Sequence, residues 1–450
     1  MKKKQLRWTL WTIASPFILF IILCILIYLP PIQNFLVDKA AVYASEATGM
    51  NISVGRISLS FPLNLVVTDV DAASPHKDTL LSVRRLQVNV QLLPLLKKQV
   101  EVDGISLQGA TVNSNDLIHG MKLNGTLGEL FISSHGVALD PETAIVNKVL
   151  LKDTDLSLCL NDTAAADTAA SDTTYWKIIL QDIDLQNVSF ALDMPLDSLS
   201  LAASLDNATL RDGLIDLHKS AYSLQTFRIK NGRVRYDSGR PSATASADSL
   251  SAGLDPSHIA LTDIGVKLDS LYYEGRNMKA IISQFVLKER SGVEIVSTEG
   301  RLVSNDKVLR VPSLKLETRD SYLELNAAMD WDALDFKKEG LVSARLMADI
   351  GKPDVVRFMG SMDEKFIRKY PSEPLRIRTG IDGDLNKLKL TTLTAELPGA
   401  LELFAKGELT SLTDSLLRGG DITLQAETKD LKFISTLAEG IEIPYGTCSE

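Results

Sequence analysis

One eight-residue phrase, met five times between positions 65 and 234, constrains this chain more than anything else in it. Leu65-Val-Val67-Thr-Asp69-Val-Asp-Ala72 is the first copy. Ile105-Ser-Leu107-Gln-Gly109-Ala-Thr-Val112 and Val149-Leu-Leu151-Lys-Asp153-Thr-Asp-Leu156 follow. Ile183-Asp-Leu185-Gln-Asn187-Val-Ser-Phe190 and Phe227-Arg-Ile229-Lys-Asn231-Gly-Arg-Val234 complete the set. The starts lie 40, 44, 34 and 44 residues apart, a shared local grammar without a fixed period. Alternating apolar residues turn one strand face to a dry interior and the other to polar surroundings. Asp, Gly or Asn at the fifth place tolerates the left-handed backbone that a bulge or tight bend needs. Side by side, such strands make an elongated, curved antiparallel sheet lined with aliphatic side chains. An ordinary antiparallel sandwich uses the same alternation, so periodicity leaves open whether the apolar face is an open groove or a sealed core.

With 450 residues the chain exceeds one ordinary core, so it holds several domains or grows along one axis. Hydrophobic residues at 45% and charged residues at 23% fit a folded protein rather than a disordered one. The net charge of -9 argues against nucleic acid as a partner, because phosphate binding needs a concentrated basic surface. Of Cys24, Cys159 and Cys448, the first lies in an apolar segment, leaving room for at most one disulfide elsewhere.

That apolar segment, Trp8 to Leu29, is uncharged and about the ~20 residues a helix needs to cross a bilayer. Lys2, Lys3, Lys4 and Arg7 precede it and keep residues 1–7 cytoplasmic as a basic tail. The alternative is a cleaved signal peptide, but Leu29-Pro30-Pro31-Ile32 offers no small-x-small cleavage site. The expectation is a single-pass inner-membrane protein with the bulk of the chain periplasmic.

Residues 31–49 read as a short amphipathic helix, from Pro31 to a Gly49 cap. It would lie on the membrane, plug the end of a β-structure or simply pack on the first strands. From residue 50 to 450 the period is that of strands, forming the periplasmic β-domain. Flexible loops are expected near 161–174 and 238–257, where small and polar residues dominate, and a helical insertion near 353–370 ahead of Pro371 and Pro374.

No reactive constellation stands out. His76, His119, His135, His218 and His258 are scattered, and no H-E-x-x-H, G-x-S-x-G or phosphate-loop motif occurs. Asp153-x-Asp155, Asp182-x-Asp184 and Asp382-Gly-Asp384 could be offered as metal or acid–base pairs, but each flanks a strand residue or sits in a turn, where solvated aspartates fall. The reading is a non-enzyme without cofactor or metal.

The order of anchor, short helix, Thr48-Gly49-Met50-Asn51-Ile52, Arg56-Ile57-Ser58-Leu59-Ser60-Phe61-Pro62-Leu63, Asp78-Thr79-Leu80-Leu81 and Leu92-Leu93-Pro94-Leu95-Leu96 resembles the N-terminal part of the AsmA-like superfamily. Within it the chain looks most like TamB-type proteins of Bacteroidota. Pro374-Leu-Arg-Ile-x-x-x-Ile-Asp-Gly383 is similar to that family's strand-rich body. The resemblance spans the chain but is one of strands and apolar positions, with no catalytic motif. It implies a taco-shaped β-groove with a hydrophobic interior, and movement of phospholipid from the inner membrane toward the outer membrane. Assistance to outer-membrane protein assembly, with an outer-membrane β-barrel as partner, is the alternative role; a structural envelope tether is the third. TamB-type proteins are usually much longer, and Ile443-Pro-Tyr-Gly-Thr-Cys-Ser-Glu450 resembles the middle of such a body rather than its end. Asp78-Thr79-Leu80, Asp162-Thr163-Ala164, Asp167-Thr168-Ala169 and Asp248-Ser249-Leu250 are similar to the O-glycosylation acceptors of Bacteroidota periplasmic proteins.

A carrier of this kind needs an apolar track for acyl chains, worth roughly 0.8 kcal/mol per buried CH₂. The candidate lining is Leu65, Val67, Ile105, Leu107, Val149, Leu151, Ile183, Leu185, Phe227 and Ile229. The competing assignment for each is a closed core.

Overall fold

The computed structural model describes residues 39, 41–42, 45–46, 49–60, 64–74, 79–91, 102–114, 120–138, 142–161, 175–239, 253–334, 338, 340–359, 364–412 and 418–429. The tail and apolar segment of residues 1–29, and most of the 161–174 and 238–257 stretches, lie outside them. Among the described residues no helix is long and apolar enough to cross a membrane.

The chain is mainly β and divides into two compact units at Leu196/Asp197. Ahead of the first strand, Lys39, Ala41, Val42, Ser45 and Glu46 are helical. Gly49 ends this helix with φ 70 and donates its N–H to the Ser45 carbonyl at 2.9 Å, which is the job of a glycine cap.

The first unit is a seven-stranded sheet in sequence order. Its strands are β1 (Asn51–Ser60), β2 (Asn64–Ala73), β3 (Thr79–Val90), β4 (Val102–Asn113), β5 (Met121–Ala138), β6 (Thr143–Leu160) and β7 (Lys177–Met194). Neighbours pair antiparallel except the last two. β6 and β7 run parallel, with Val149 opposite Ile183 and Leu151 opposite Leu185. The sheet is antiparallel as expected apart from this one pair. These strands carry the third and fourth phrase copies, and both present the phrase in the same direction, so like residues meet.

The bend lies where the phrase places it. Asp69, Gly109, Asp153, Asn187 and Asn231 all have left-handed φ values, 55, 63, 50, 51 and 53. Strand register is unbroken on either side, as in Thr68 opposite Arg85 and Val70 opposite Val83. The bends therefore align across the first unit as one crease through Gly55, Asp69, Arg84, Gly109, Gly128, Asp153 and Asn187. At the crease two successive residues face solvent, as Arg84 with Arg85 and Lys152 with Asp153, while Val83 and Thr154 beside them are buried. Alternation thus resumes one residue out of step, and the apolar face continues through the bend. Glycine is required where the kinked strand crowds its neighbour: a Cβ on Gly55 would lie 2.9 Å from the Asp69 Cβ, and one on Gly128 2.8 Å from that of Asp153.

The second unit repeats the device. β8 (Leu199–Asp216) pairs with both β9 (Ala221–Leu224) and β10 (Thr226–Ser238), which lie end to end and also share β11 (His258–Glu274). An antiparallel meander continues through β12 (Asn277–Glu289), β13 (Glu294–Ser304), β14 (Val308–Thr318), β15 (Tyr322–Asp330) and β16 (Val342–Ile350). It ends with β17 (Leu375–Gly383), β18 (Lys387–Leu397), β19 (Leu401–Thr410) and β20 (Gly419–Thr428).

Two short helices, α1 (Lys352–Met359) and α2 (Glu364–Lys369), fall between β16 and β17, in the region where a helical insertion near 353–370 is expected. After them Tyr370 is buried with Leu397 and Ala400, against Val355, Leu375 and Leu401. Asp354, in the first turn of α1, is 1% exposed. The hydroxyls of Thr318 and Ser321, at the β14–β15 turn, donate to its Oδ2, and Arg357 donates to Oδ1 at 2.9 Å. A buried carboxylate is tolerable only when its oxygens are satisfied in this way.

Candidate functional site

The register assembles the eight first-unit lining residues into two rungs. One runs Leu59, Leu65, Val88, Ile105, Ile132, Val149, Ile183 across β1 to β7. The next runs Ile57, Val67, Leu86, Leu107, Leu130, Leu151, Leu185. Directly opposed residues share a sheet face, and residues two apart on one strand do as well. The fourteen side chains therefore form one aliphatic band, two residues wide, crossing all seven strands without a polar interruption.

The reverse face is mostly polar. The row beside the crease reads Arg56, Thr68, Arg85, Gln108, Glu129, Lys152, Gln186, while the next mixes Val66, Phe131 and Leu150 with Ser58, Gln87, Ser106 and Asp184.

All fourteen band residues are half-buried; none is fully buried and none fully exposed. A sealed core would leave most of them with almost no accessible surface. The half-burial leaves this face accessible.

Phe227 and Ile229 fall in the second unit. Phe227 stands between Leu210 and Leu268, and Ile229 between Ala208 and Val266. They too are half-buried. An apolar face runs on along the meander, as in the row Leu314, Leu325, Leu346, Thr379, Leu393, Ala405, Leu424. At β20 all ten residues are exposed, with Ile422 at 45% and Leu424 at 61%.

The phrase did not point to Ile57, Leu59, Leu86, Val88, Leu130 or Ile132, which sit on the intervening strands. Their signal is shorter, a plain apolar–x–apolar triplet without the turn-forming residue, as in Ile57-Ser-Leu59 and Leu86-Gln-Val88.

The aspartate pairs have structural partners. Asp153 accepts a hydrogen bond from Asn187 Nδ2 at 2.8 Å, and Asp155 accepts one from the Ser189 hydroxyl, so both staple the parallel strands. Asp382 takes a two-pronged contact from Arg345, and Asp384 caps its turn by accepting the Asn386 and Lys387 N–H groups at 2.7 Å each. Among the described residues no group of three or more His, Cys, Asp or Glu side chains could hold a metal. Cys159 carries a free thiol on β6.

Neither a family model nor a curated protein matches this chain.

Proposed function

We propose that this chain is an inner-membrane-anchored periplasmic conduit that moves phospholipid along a hydrophobic β-groove toward the outer membrane. The observation that carries the reading is the half-buried aliphatic band crossing seven strands in unbroken register. Such a band asks for no reactive group. Leu, Ile and Val side chains shelter acyl methylenes at roughly 0.8 kcal/mol each when buried. Because adjoining rungs are chemically alike, a chain shifted by one rung meets the same surroundings and finds no deep trap. The resemblance to the AsmA-like superfamily, and the apolar Trp8 to Leu29 segment behind its basic tail, support the same direction of thought.

The test is photocrosslinking from Leu107, on the band's central strand, and Leu185, on its last strand. Both positions are expected to capture phospholipid in cells. A second reading, an assembly factor for outer-membrane proteins, draws on β20: a ten-residue edge, exposed throughout, able to add a further strand. Capture of unfolded barrel protein alone at Leu107 and Leu185 overturns the conduit in its favour.

A further inference from the structure

The apolar face of the second unit changes character at one margin. In the row next to the hairpin turns, Ile215, Tyr222, Tyr273 and Met278 stand opposite one another. One row inward the same face carries Leu224, Leu271, Ala280 and Leu302. The two tyrosine rings lie 6.1 Å apart between centroids, tilted by 32°, and remain 41% and 42% exposed. An aromatic pair of this kind is usually sheltered, because the rings carry a large apolar area.

Their hydroxyls set them apart as well. Tyr272 and Tyr322 each donate to a glutamate two residues on, Glu274 and Glu324. Tyr222 and Tyr273 have no such partner among the described residues. The turns that close these strands bring Lys219 after β8, and Arg276 between β11 and β12. Of the acids nearby, Asp216 is buried and accepts the Lys219 N–H, and Glu274 is held by Tyr272. Arg276 stacks on Trp331 with its guanidinium 5.5 Å from the ring centroid, which leaves its N–H edge available.

We infer that Tyr222 and Tyr273, with the cationic groups of the adjoining turns, form a rim subsite for the phosphate and glycerol region of a phospholipid whose acyl chains lie inward on Leu224, Leu271 and Ala280. This rests on the conduit reading and assigns the headgroup to a definite margin of the apolar face. Tyrosine suits the place because its ring matches the acyl side and its hydroxyl the wet, phosphate side.

The experiment uses the full chain in vesicles of phosphatidylethanolamine and phosphatidylglycerol, doped with one of two photoreactive phosphatidylethanolamines. One carries its diazirine on the headgroup, the other midway along an acyl chain, and labelled peptides are read by mass spectrometry. The headgroup probe is expected to label Tyr222 and Tyr273; the acyl probe is expected to label Leu224, Leu271 and Ala280 and, in the first unit, Leu107 and Leu151. Tyr222→Phe with Tyr273→Phe keeps both rings and is expected to lower headgroup labelling by about fivefold or more. Acyl labelling of the band with no headgroup labelling at the tyrosines overturns the rim subsite and leaves the conduit standing. Headgroup labelling unchanged in the double Phe variant also overturns the hydroxyl contact. Absence of label from both probes overturns both.

Discussion

Asp153 and Asn187 meet across the parallel β6–β7 pair with both backbones left-handed and a 2.8 Å hydrogen bond between their side chains. The left-handed region costs an ordinary L-residue roughly 1–2 kcal/mol, less for Asp and Asn, whose short polar side chains bond locally. Asp153→Gly is therefore expected to keep most of the stability. Asp153→Val is expected to lose about 2 kcal/mol or more, since a β-branched chain resists this backbone and cannot hold Asn187. Urea midpoints of the two variants check this. A second residue-scale prediction concerns Glu289, 7% exposed, at the β12–β13 turn. Burial alone would raise its pKa, but hydrogen bonds from the Ser291 and Ala260 N–H groups to the carboxylate outweigh it, and the net shift is downward from 4.5. A carboxylate with a lowered folded pKa stabilises the fold above its unfolded value and loses that contribution as pH falls through the folded one. Melting temperatures of the wild type and Glu289→Gln should differ at pH 7 and converge as the pH drops below about 4.5.

At the scale of the element, the crease is a cooperative feature of neighbouring strands. Gly55 and Gly128 leave room for the side chains of Asp69 and Asp153, so each bend depends on the residue opposite it. The sequence phrase located five of these bends, because a turn-former between apolar residues is a local signal. The glycines were not legible as part of it, since their need arises only from the strand alongside. The α1 helix shows the same limit. Its hydrophobic run ahead of Pro371 and Pro374 is visible in the sequence, whereas the burial of Asp354 is not, because its partners Thr318 and Ser321 lie more than thirty positions away. Removing this buried carboxylate leaves the Thr318 and Ser321 hydroxyls without their acceptor, while Arg357 keeps Asp320 at 2.9 Å. Asp354→Ala is expected to cost about 1–3 kcal/mol by urea unfolding, and Asp354→Asn clearly less.

For the whole molecule, the conduit reading ties the anchor to the band: a groove fixed beside the inner membrane has its lipid source at hand. Deleting Met1 to Leu29 is expected to leave a β-rich chain with an unchanged far-ultraviolet circular dichroism spectrum that no longer supports function. Full complementation by the anchorless chain would mean that the segment merely delivers the domain. The sequence by itself determined the strand grammar, the bend positions and the ten apolar residues offered as lining, because side-chain alternation and backbone tolerance are local properties. Tertiary structure alone decided that eight of those residues stand in two unbroken rungs with six others. It also decided that β6 and β7 run parallel and that the apolar face ends at Tyr222 and Tyr273. Register between strands depends on which chain segments meet, and no period along a single strand encodes that choice.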